Sequence, residues 1–477
     1  MENLISNLNF ESDYSIKKNL RSDLKFIFGP PGTGKTTKLA TNIIRLIKES
    51  QECKILVLTP TNKACDVLTE KILDLNEGDD TWVWRFVSTM SDRLEYEEVV
   101  YPRSSDILSQ KCVCVISTMA RYAFDGFDDI SLREMSWDYV IIDEASMVPL
   151  YQIIAPIYNE NSHRIIIAGD PFQNAPIVNI EDWKAENIYT IVGLNNFAKP
   201  RTEPYQYEVE TLMTQYRSIP DIGELYSQYL YNGKLQHNRK KEDHRVLTIG
   251  LKESPLSIIS FPVTKDSIFD ARHLMNSNIQ IYSAIFTVEL LKYITKNLND
   301  NHAGEPIRIG VVSPYKAEVQ AVQKLYDNSC EQYENIEVLC GTVHGFQGDE
   351  CDIVIAIMNP PTSGLKRTAD MTFINNKNIL NVAISRARDY LIMLIPNKDY
   401  ENFDSLYEVK DIGRKMTKIG CSLYTSDQIE KLMFGKQMQI ENDTFVTTHQ
   451  MTNVYGNPFA KYEVRIDQNA LDIQVNN

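Results

Sequence analysis

The stretch KFIFGPPGTGKTT, Lys25 to Thr37, decides the fold. KFIFG reads as a short buried strand that ends on a glycine. GPPGTGKT (29–36) is a full match to G-x-x-x-x-G-K-[ST], and Thr36 to Glu49 reads as a helix with Leu39, Ile43, Leu46 and Ile47 on one stripe. Glycines let backbone N–H groups turn inward around phosphate oxygens, and the helix adds its positive N-terminal end. Gly29, Pro30, Pro31, Gly32, Thr33, Gly34, Lys35, Thr36 and Thr37 therefore predict a triphosphate cradle. Lys35 reaches the β- and γ-phosphates, and the Thr36 hydroxyl is placed to hold Mg²⁺.

Working outward, KILVLTP (54–60), CVCVIST (112–118), YVIIDEA (139–145) and RIIIAGD (164–170) are further short apolar runs, each stopping at a polar or glycine-containing turn. A helix is expected from Ala64 to Leu73. Strands apolar on both faces suit a parallel sheet covered by helices, so the fold class is α/β. Asp143 and Glu144 end one such strand, at the edge where open parallel sheets bind ligands. Asp143 is expected to support Mg²⁺, and Glu144 to orient and deprotonate the attacking water. Gln173, in the loop after Gly169-Asp170, is a candidate γ-phosphate sensor.

The pattern weakens from Asn179 to Pro204, which reads as a connection, and a second α/β region follows. Its strands are RIGVVSP (308–314), DIVIAIM (352–358) and YLIMLIP (390–396); its helices are Tyr282 to Leu298 and Lys316 to Asn328. It offers Arg217 after Gln215-Tyr216, and Arg386 and Arg388 on an expected helix before a strand. An arginine brought to a transferring phosphoryl group stabilises its charge and couples hydrolysis to motion. GTVHGFQGDE (341–350) sets Gln347 between Gly345 and Gly348, ahead of Glu350. From Lys436 onward, DTFVTTH and KYEVRID alternate polar and apolar residues around Tyr455-Gly456-Asn457-Pro458, which predicts a small antiparallel β unit. The expected division is 1–205, 206–402 and a C-terminal accessory unit, 403–477.

The chain has 477 residues and a net charge of −15, from 49 basic and 64 acidic residues. That balance argues against sequence-blind binding of a polyanion through bulk charge, but it leaves room for a local basic channel. No apolar run is long enough for a membrane span, and Met1 to Phe10 does not read as a secretory signal. The eight cysteines show no paired metal spacing and read as reduced thiols of a cytoplasmic protein; Cys112 and Cys114 should share one strand face.

GPPGTGKT, DEAS, GDPFQ, QYRS, VHGFQGDE and NVAISRAR occur in the order of the superfamily 1 helicases. The chain resembles the branch that includes the nonsense-mediated mRNA decay helicase and its bacterial relatives, over roughly residues 25 to 395. The resemblance implies two RecA-like domains, with ATP in the cleft between them and single-stranded DNA or RNA across their top. It implies an ATP hydrolase that unwinds or translocates, 5′ to 3′. Arg217 and Arg386 look like its arginine fingers, Tyr216 like its adenine platform and Glu350 like a ribose or nucleotide contact. Thr61, Asn62, Thr118, Ser313, Tyr315 and Thr342 look like its strand contacts, gripping phosphates without reading bases.

Three departures stand out. No counterpart of the family's adenine-reading glutamine occurs in Met1 to Leu24; only Asp74 to Gln110 leaves room for a first-domain insertion; and 403–477 matches no family motif, leaving it a candidate surface for a protein partner. The alternative reading is a nucleic-acid-stimulated ATPase that acts as a switch or remodeller. A chain that only binds is disfavoured by the full set Lys35, Thr36, Asp143, Glu144, Arg217 and Arg386.

Overall fold

The computed structural model describes residues 23–76, 81–86, 110–127, 130–176, 178, 186–196, 207–252, 254–261, 271–274, 277–346, 348–358, 374–397, 405–437, 439–440, 445–450, 460–466 and 471–475. Met1–Phe10, Gln347 and the Tyr455–Pro458 turn, all read above, lie outside them, as does nearly all of Met1–Leu24. The chain divides into two units, Met1–Tyr216 and Arg217–Asn477.

In the first unit, strands β1 (Lys25–Phe28), β2 (Cys53–Thr59), β3 (Val83–Arg85), β4 (Cys112–Thr118), β5 (Trp137–Ile142), β6 (Ser162–Gly169) and β7 (Glu208–Thr211) form one sheet in the order β3-β4-β2-β5-β6-β1-β7. Every pairing in it is parallel. Residues alternate between two cores. Leu56 and Leu58 pack with Val113, Val115 and Ile142 on one face; Ile55 and Val57 pack with Cys114, Ile116 and Ile141 on the other. Full burial of each such side chain contributes about 1.5–3 kcal/mol, which is why these strands are apolar throughout. Cys112 and Cys114 both face the second core. Helices α1 (Lys35–Glu49) and α2 (Asn62–Leu75) cover that face through Leu39, Ile43, Leu68 and Ile72.

Two expectations change here. β7 pairs with β1, so the first unit continues past 205. The stretch read as a connection contains a short helix, α3 (Ile188–Ile191), whose Ile188, Tyr189 and Ile191 are buried in the first core. Likewise β3 lies inside the stretch read as insertion room.

The second unit repeats the plan. β8 (Leu256–Phe261), β9 (Ile307–Ser313), β10 (Ile336–Thr342), β11 (Cys351–Ile357), β12 (Ala387–Pro396) and β13 (Ser422–Thr425) run parallel in the order β10-β9-β11-β12-β8-β13. Helices α4 (Pro220–Leu230), α5 (Ile281–Asn301), α6 (Lys316–Ser329), α7 (Lys377–Ile384), α8 (Tyr407–Ile419) and α9 (Ser426–Phe434) accompany it. Because β13 pairs with β8, Ser422–Thr425 belong to this sheet, and 403–477 falls within the second unit.

The C-terminal β unit is present as β14 (Val446–Gln450), β15 (Tyr462–Ile466) and β16 (Leu471–Val475). β15–β16 is antiparallel as expected, but β14–β15 is parallel, which a tight hairpin at 455–458 does not allow. Phe445, Val446, Tyr462, Val464 and Ile473 join the same core as α5 and α6. Glu289 of α5 fastens the unit by accepting from Tyr462 Oη and, at 2.8 Å, Lys461 Nζ. Among the described residues no helix is long and apolar enough to cross a membrane.

Candidate nucleotide site and strand-contact edges

The phosphate loop bridges β1 to α1. Gly29 N donates to the Gly169 carbonyl at 3.0 Å, tying the loop to the end of β6. Gly32 and Gly34 hold φ of 71° and 76°, a left-handed conformation that side chains resist. Thr33 Oγ1 donates to the Pro30 carbonyl at 2.8 Å, closing the turn. Tyr216 N donates to the Gly32 carbonyl at 2.8 Å, and the Tyr216 ring is 55% exposed, an aromatic face anchored beside the loop.

Lys35 is buried and donates to Asp143 Oδ1 at 2.7 Å and Glu144 Oε1 at 2.5 Å. Burial pulls its ammonium toward neutrality, but the two carboxylates outweigh that and raise its pKa above the ordinary value. Burial pushes the Asp143 carboxyl above the usual range, and the contact with Lys35 opposes that shift. Glu144 sits at φ 51°, ψ 40°, left-handed for a residue with a Cβ, which costs about 1 kcal/mol or more. The Asp143 carboxylate steadies this turn by accepting Glu144 N at 2.8 Å. Thr36 and Asp143 are hard oxygen donors of the kind Mg²⁺ takes alongside phosphate and water, so the residues fit that ion. Gln173 is buried; its Nε2 lies 3.4 Å from Asp170 Oδ2.

In the second unit, Glu350 carries two arginines. Its Oε2 accepts Arg217 Nε and its Oε1 accepts an Arg388 guanidinium nitrogen, both at 2.8 Å. Burial pushes the Glu350 carboxyl up, but these arginines hold it below its ordinary value. The contacts observed for Glu350 are thus with these two arginines. Arg386 also departs from expectation. It is 2% exposed, with Nε donating to the Val382 carbonyl at 3.1 Å and Nη1 to that of Asp349 at 3.3 Å, both in its own unit. α7 ends at Ile384, so Arg386 lies in the connection and Arg388 on strand β12, 43% exposed. Of the pair, Arg388 has the more exposed side chain, held by Glu350.

The expected strand contacts lie at the ends of parallel strands. Thr59 aligns with Thr118, and Ser313 with Thr342. Thr61 and Asn62 are exposed, but Thr61 Oγ1 caps α2 by accepting Ala64 N at 3.2 Å. Asn62 Oδ1 accepts a guanidinium N–H of buried Arg85 at 3.1 Å, while Arg85 Nε pairs with Asp66 at 2.9 Å. Thr118, Ser313 and Tyr315 are buried, and Ser313 Oγ accepts Tyr315 N at 3.2 Å. Thr342 is half-buried and accepts Gly345 N at 3.2 Å. Thr61 and Asn62 are thus the side chains most open to a strand, and Arg85 is a supporting residue the sequence pattern did not reveal.

The description "AAA domain" matches residues 13–179 and, with a second profile, residues 196–398. The class is therefore a P-loop nucleotide-binding protein with two AAA domains. The zebrafish (Danio rerio) protein named putative helicase mov-10-B.2 is 24% identical over 77% of this chain and 39% of its own length. A Drosophila melanogaster regulator of nonsense transcripts 1 homolog is 26% identical over 82% of this chain and 34% of its own. The Schizosaccharomyces pombe DNA replication ATP-dependent helicase/nuclease dna2 is 26% identical over 81% of this chain and 27% of its own. The chain belongs to the superfamily 1 helicases, in the nonsense-mediated decay branch, and spans well under half the length of these relatives.

Proposed function

We propose that this chain is an ATP-driven motor on single-stranded DNA or RNA, a helicase or translocase that moves 5′ to 3′. The observation that carries the reading is Lys35 bridging Asp143 and Glu144 behind the phosphate loop, at the end of a parallel strand. A triphosphate draws the Lys35 ammonium onto its β- and γ-oxygens. Glu144, released by Lys35, acts as base: the water oxygen bonds to the γ-phosphorus, Glu144 takes the water proton, and the bond to the bridging oxygen breaks with its electrons left on ADP. Thr36 and Asp143 would hold Mg²⁺, which would neutralise phosphate charge. Tyr216 stacks on the base, and Gln173 senses the γ-phosphate. Arg217 and Arg388 supply the cationic stabilisation. Strand phosphates meet Thr61 and Asn62 first. Eight free thiols support a reducing, cytoplasmic setting.

The test is ATPase activity with and without single-stranded DNA and RNA, followed by unwinding of substrates with 5′ or 3′ overhangs. Lys35→Ala and Glu144→Gln should abolish turnover, and Glu144→Gln should still bind ATP. Undiminished hydrolysis by Glu144→Gln would refute the base assignment. A second reading, a switch or remodeller without strand separation, is favoured by β3. That strand claims part of the expected insertion and leaves only 87–109 between Phe86 and Gln110. The second reading predicts polymer-stimulated ATPase with no unwinding, and its protein partner would engage the C-terminal sheet.

A further inference from the structure

Tyr189 belongs to no motif, yet it lies at the nucleotide site. Its backbone is fixed by a reciprocal cap: Asn187 Oδ1 accepts Tyr189 N at 2.9 Å and Thr190 N at 3.1 Å, while Thr190 Oγ1 accepts Asn187 N at 3.0 Å. The ring is 2% exposed and packs near Phe26 of β1, with centroids 6.3 Å apart. The hydroxyl is buried and makes no hydrogen bond among the described residues. It points at the end of β6: a Cβ built on Gly169 would stand 2.6 Å from Tyr189 Oη and 3.0 Å from Ala145 N. Gly169 therefore has no side chain where the tyrosine hydroxyl approaches Glu144–Ala145 and Asp170. Burial, then Asp170, Glu144 and Asp143, raise the tyrosine pKa well above 10, so the group is a proton-bearing donor.

A buried donor without an acceptor costs about 1–3 kcal/mol, and cores rarely retain one. Asp170 is one of the neighbouring acceptors. Its carboxylate is fully buried and accepts Phe172 N at 2.9 Å, but reaches Gln173 Nε2 only at 3.4 Å. For Gln173 to meet a γ-phosphate its amide must leave that carboxylate. Uncompensated, the loss of a donor from a buried anion would oppose the movement.

We propose that Tyr189 is a positioning residue for hydrolysis, its hydroxyl donating to Asp170 in place of Gln173 when Gln173 turns to the γ-phosphate. The inference rests on Gln173 and Glu144 acting as described above. The exchange of one donor for another keeps Asp170 satisfied in both arrangements and lowers the barrier to the hydrolytic one. Two neighbours then change together, the Gln173 loop and the Glu144–Ala145 turn that Oη faces.

Tyr189→Phe removes the hydroxyl and keeps the ring. Its kcat for nucleic-acid-stimulated ATP hydrolysis should fall about tenfold, the equivalent of about 1.4 kcal/mol. KM for ATP and the Kd of a fluorescent ATP analogue should stay within twofold, and the melting temperature should not fall. Gln173→Ala should lower kcat by itself, and adding Tyr189→Phe to it should cost nothing further, because the exchange needs both groups. A merely structural tyrosine gives additive losses and a lower melting temperature, and either result overturns the proposal. So does an unchanged kcat in Tyr189→Phe while Glu144→Gln is inactive. Turnover surviving in Glu144→Gln would instead refute the underlying base assignment.

Discussion

Glu318 carries a calculable dependence of stability on pH. It sits in the first turn of α6, is 2% exposed, and accepts Gln280 N at 2.7 Å and the Ser283 hydroxyl. Burial pushes its carboxyl from 4.5 up to about 7, and these two hydrogen bonds only partly oppose it. The folded chain thus holds this proton to higher pH than the unfolded chain does. Between pH 4.5 and 7 the folded state binds more protons, so stability is greatest below that window and falls as pH rises through it. At about 1.4 kcal/mol per pH unit the loss is about 3 kcal/mol by pH 8. Glu318→Gln keeps an acceptor for Gln280 N and offers an N–H to Ser283, but cannot ionise. Its advantage over the parent should grow by about 2 kcal/mol between pH 5 and pH 8. The assay is urea unfolding at both pH values, followed by far-UV circular dichroism and by hydrogen exchange across 316–329. Tryptophan fluorescence provides an internal control: Trp82, Trp84, Trp137 and Trp183 all precede Arg217, so it reports the first unit alone. That transition should not respond to Glu318→Gln. An advantage that is the same at pH 5 and pH 8 would refute the reasoning.

Three further substitutions separate roles in the same way. Arg388→Ala should cut kcat by at least about a hundredfold with ATP binding retained, as expected for an arginine that acts on phosphate charge; full turnover would remove it from the site. Arg386→Met should instead lower the melting temperature, at a cost of about 1–3 kcal/mol, by stripping donors from the Val382 and Asp349 carbonyls. Arg85→Met should destabilise the first unit by about 3–5 kcal/mol because it strands buried Asp66. Joining it to Asp66→Leu should recover stability but not polymer stimulation of ATPase, since Asn62 stays unanchored; recovery of both would show that Arg85 only fills the core.

The legible parts of the sequence are those whose physics is local. Central strands such as Ile55–Leu58 and Ile165–Ala168 are buried on both faces and read as unbroken apolar runs. The phosphate loop is contiguous, with its strand, glycines and lysine inside thirteen residues from Lys25 to Thr37. Edge strands were hidden. Glu208–Thr211 is EVET and Val83–Arg85 is VWR, short and partly polar, and each lies at an edge of the sheet among the described residues. The β14–β15 pairing was hidden because alternation marks a strand but not its direction. Among the site residues, the sequence could not rank Arg386 against Arg388. They stand two apart, and only the packing of β12 decides which is swallowed by its own unit. Tyr189 was missed for a related reason: it lies in a stretch with no periodic pattern, and its importance comes from Gly169, a residue twenty positions earlier.

The Lys35 contacts have a consequence for the order of events. One buried ammonium serves two carboxylates, buried Asp143 and half-buried Glu144. A triphosphate brings oxygens that compete for the same ammonium. Each interaction it wins from Asp143 or Glu144 leaves a carboxylate in a low-dielectric setting, where its affinity for a proton rises. Glu144 therefore becomes a better base as the phosphate takes the lysine, and a divalent cation would give Asp143 a new partner. With Lys35 on Glu144 the same carboxylate is a poor proton acceptor. Substrate binding and base activation are on this geometry one event, set by where a single proton-rich nitrogen resides. A lysine-to-arginine exchange at 35 separates them, because a guanidinium can span phosphate and carboxylate at once. Lys35→Arg should keep nucleotide binding and lose hydrolysis, and measurable turnover in that variant would show that Glu144 need not be released.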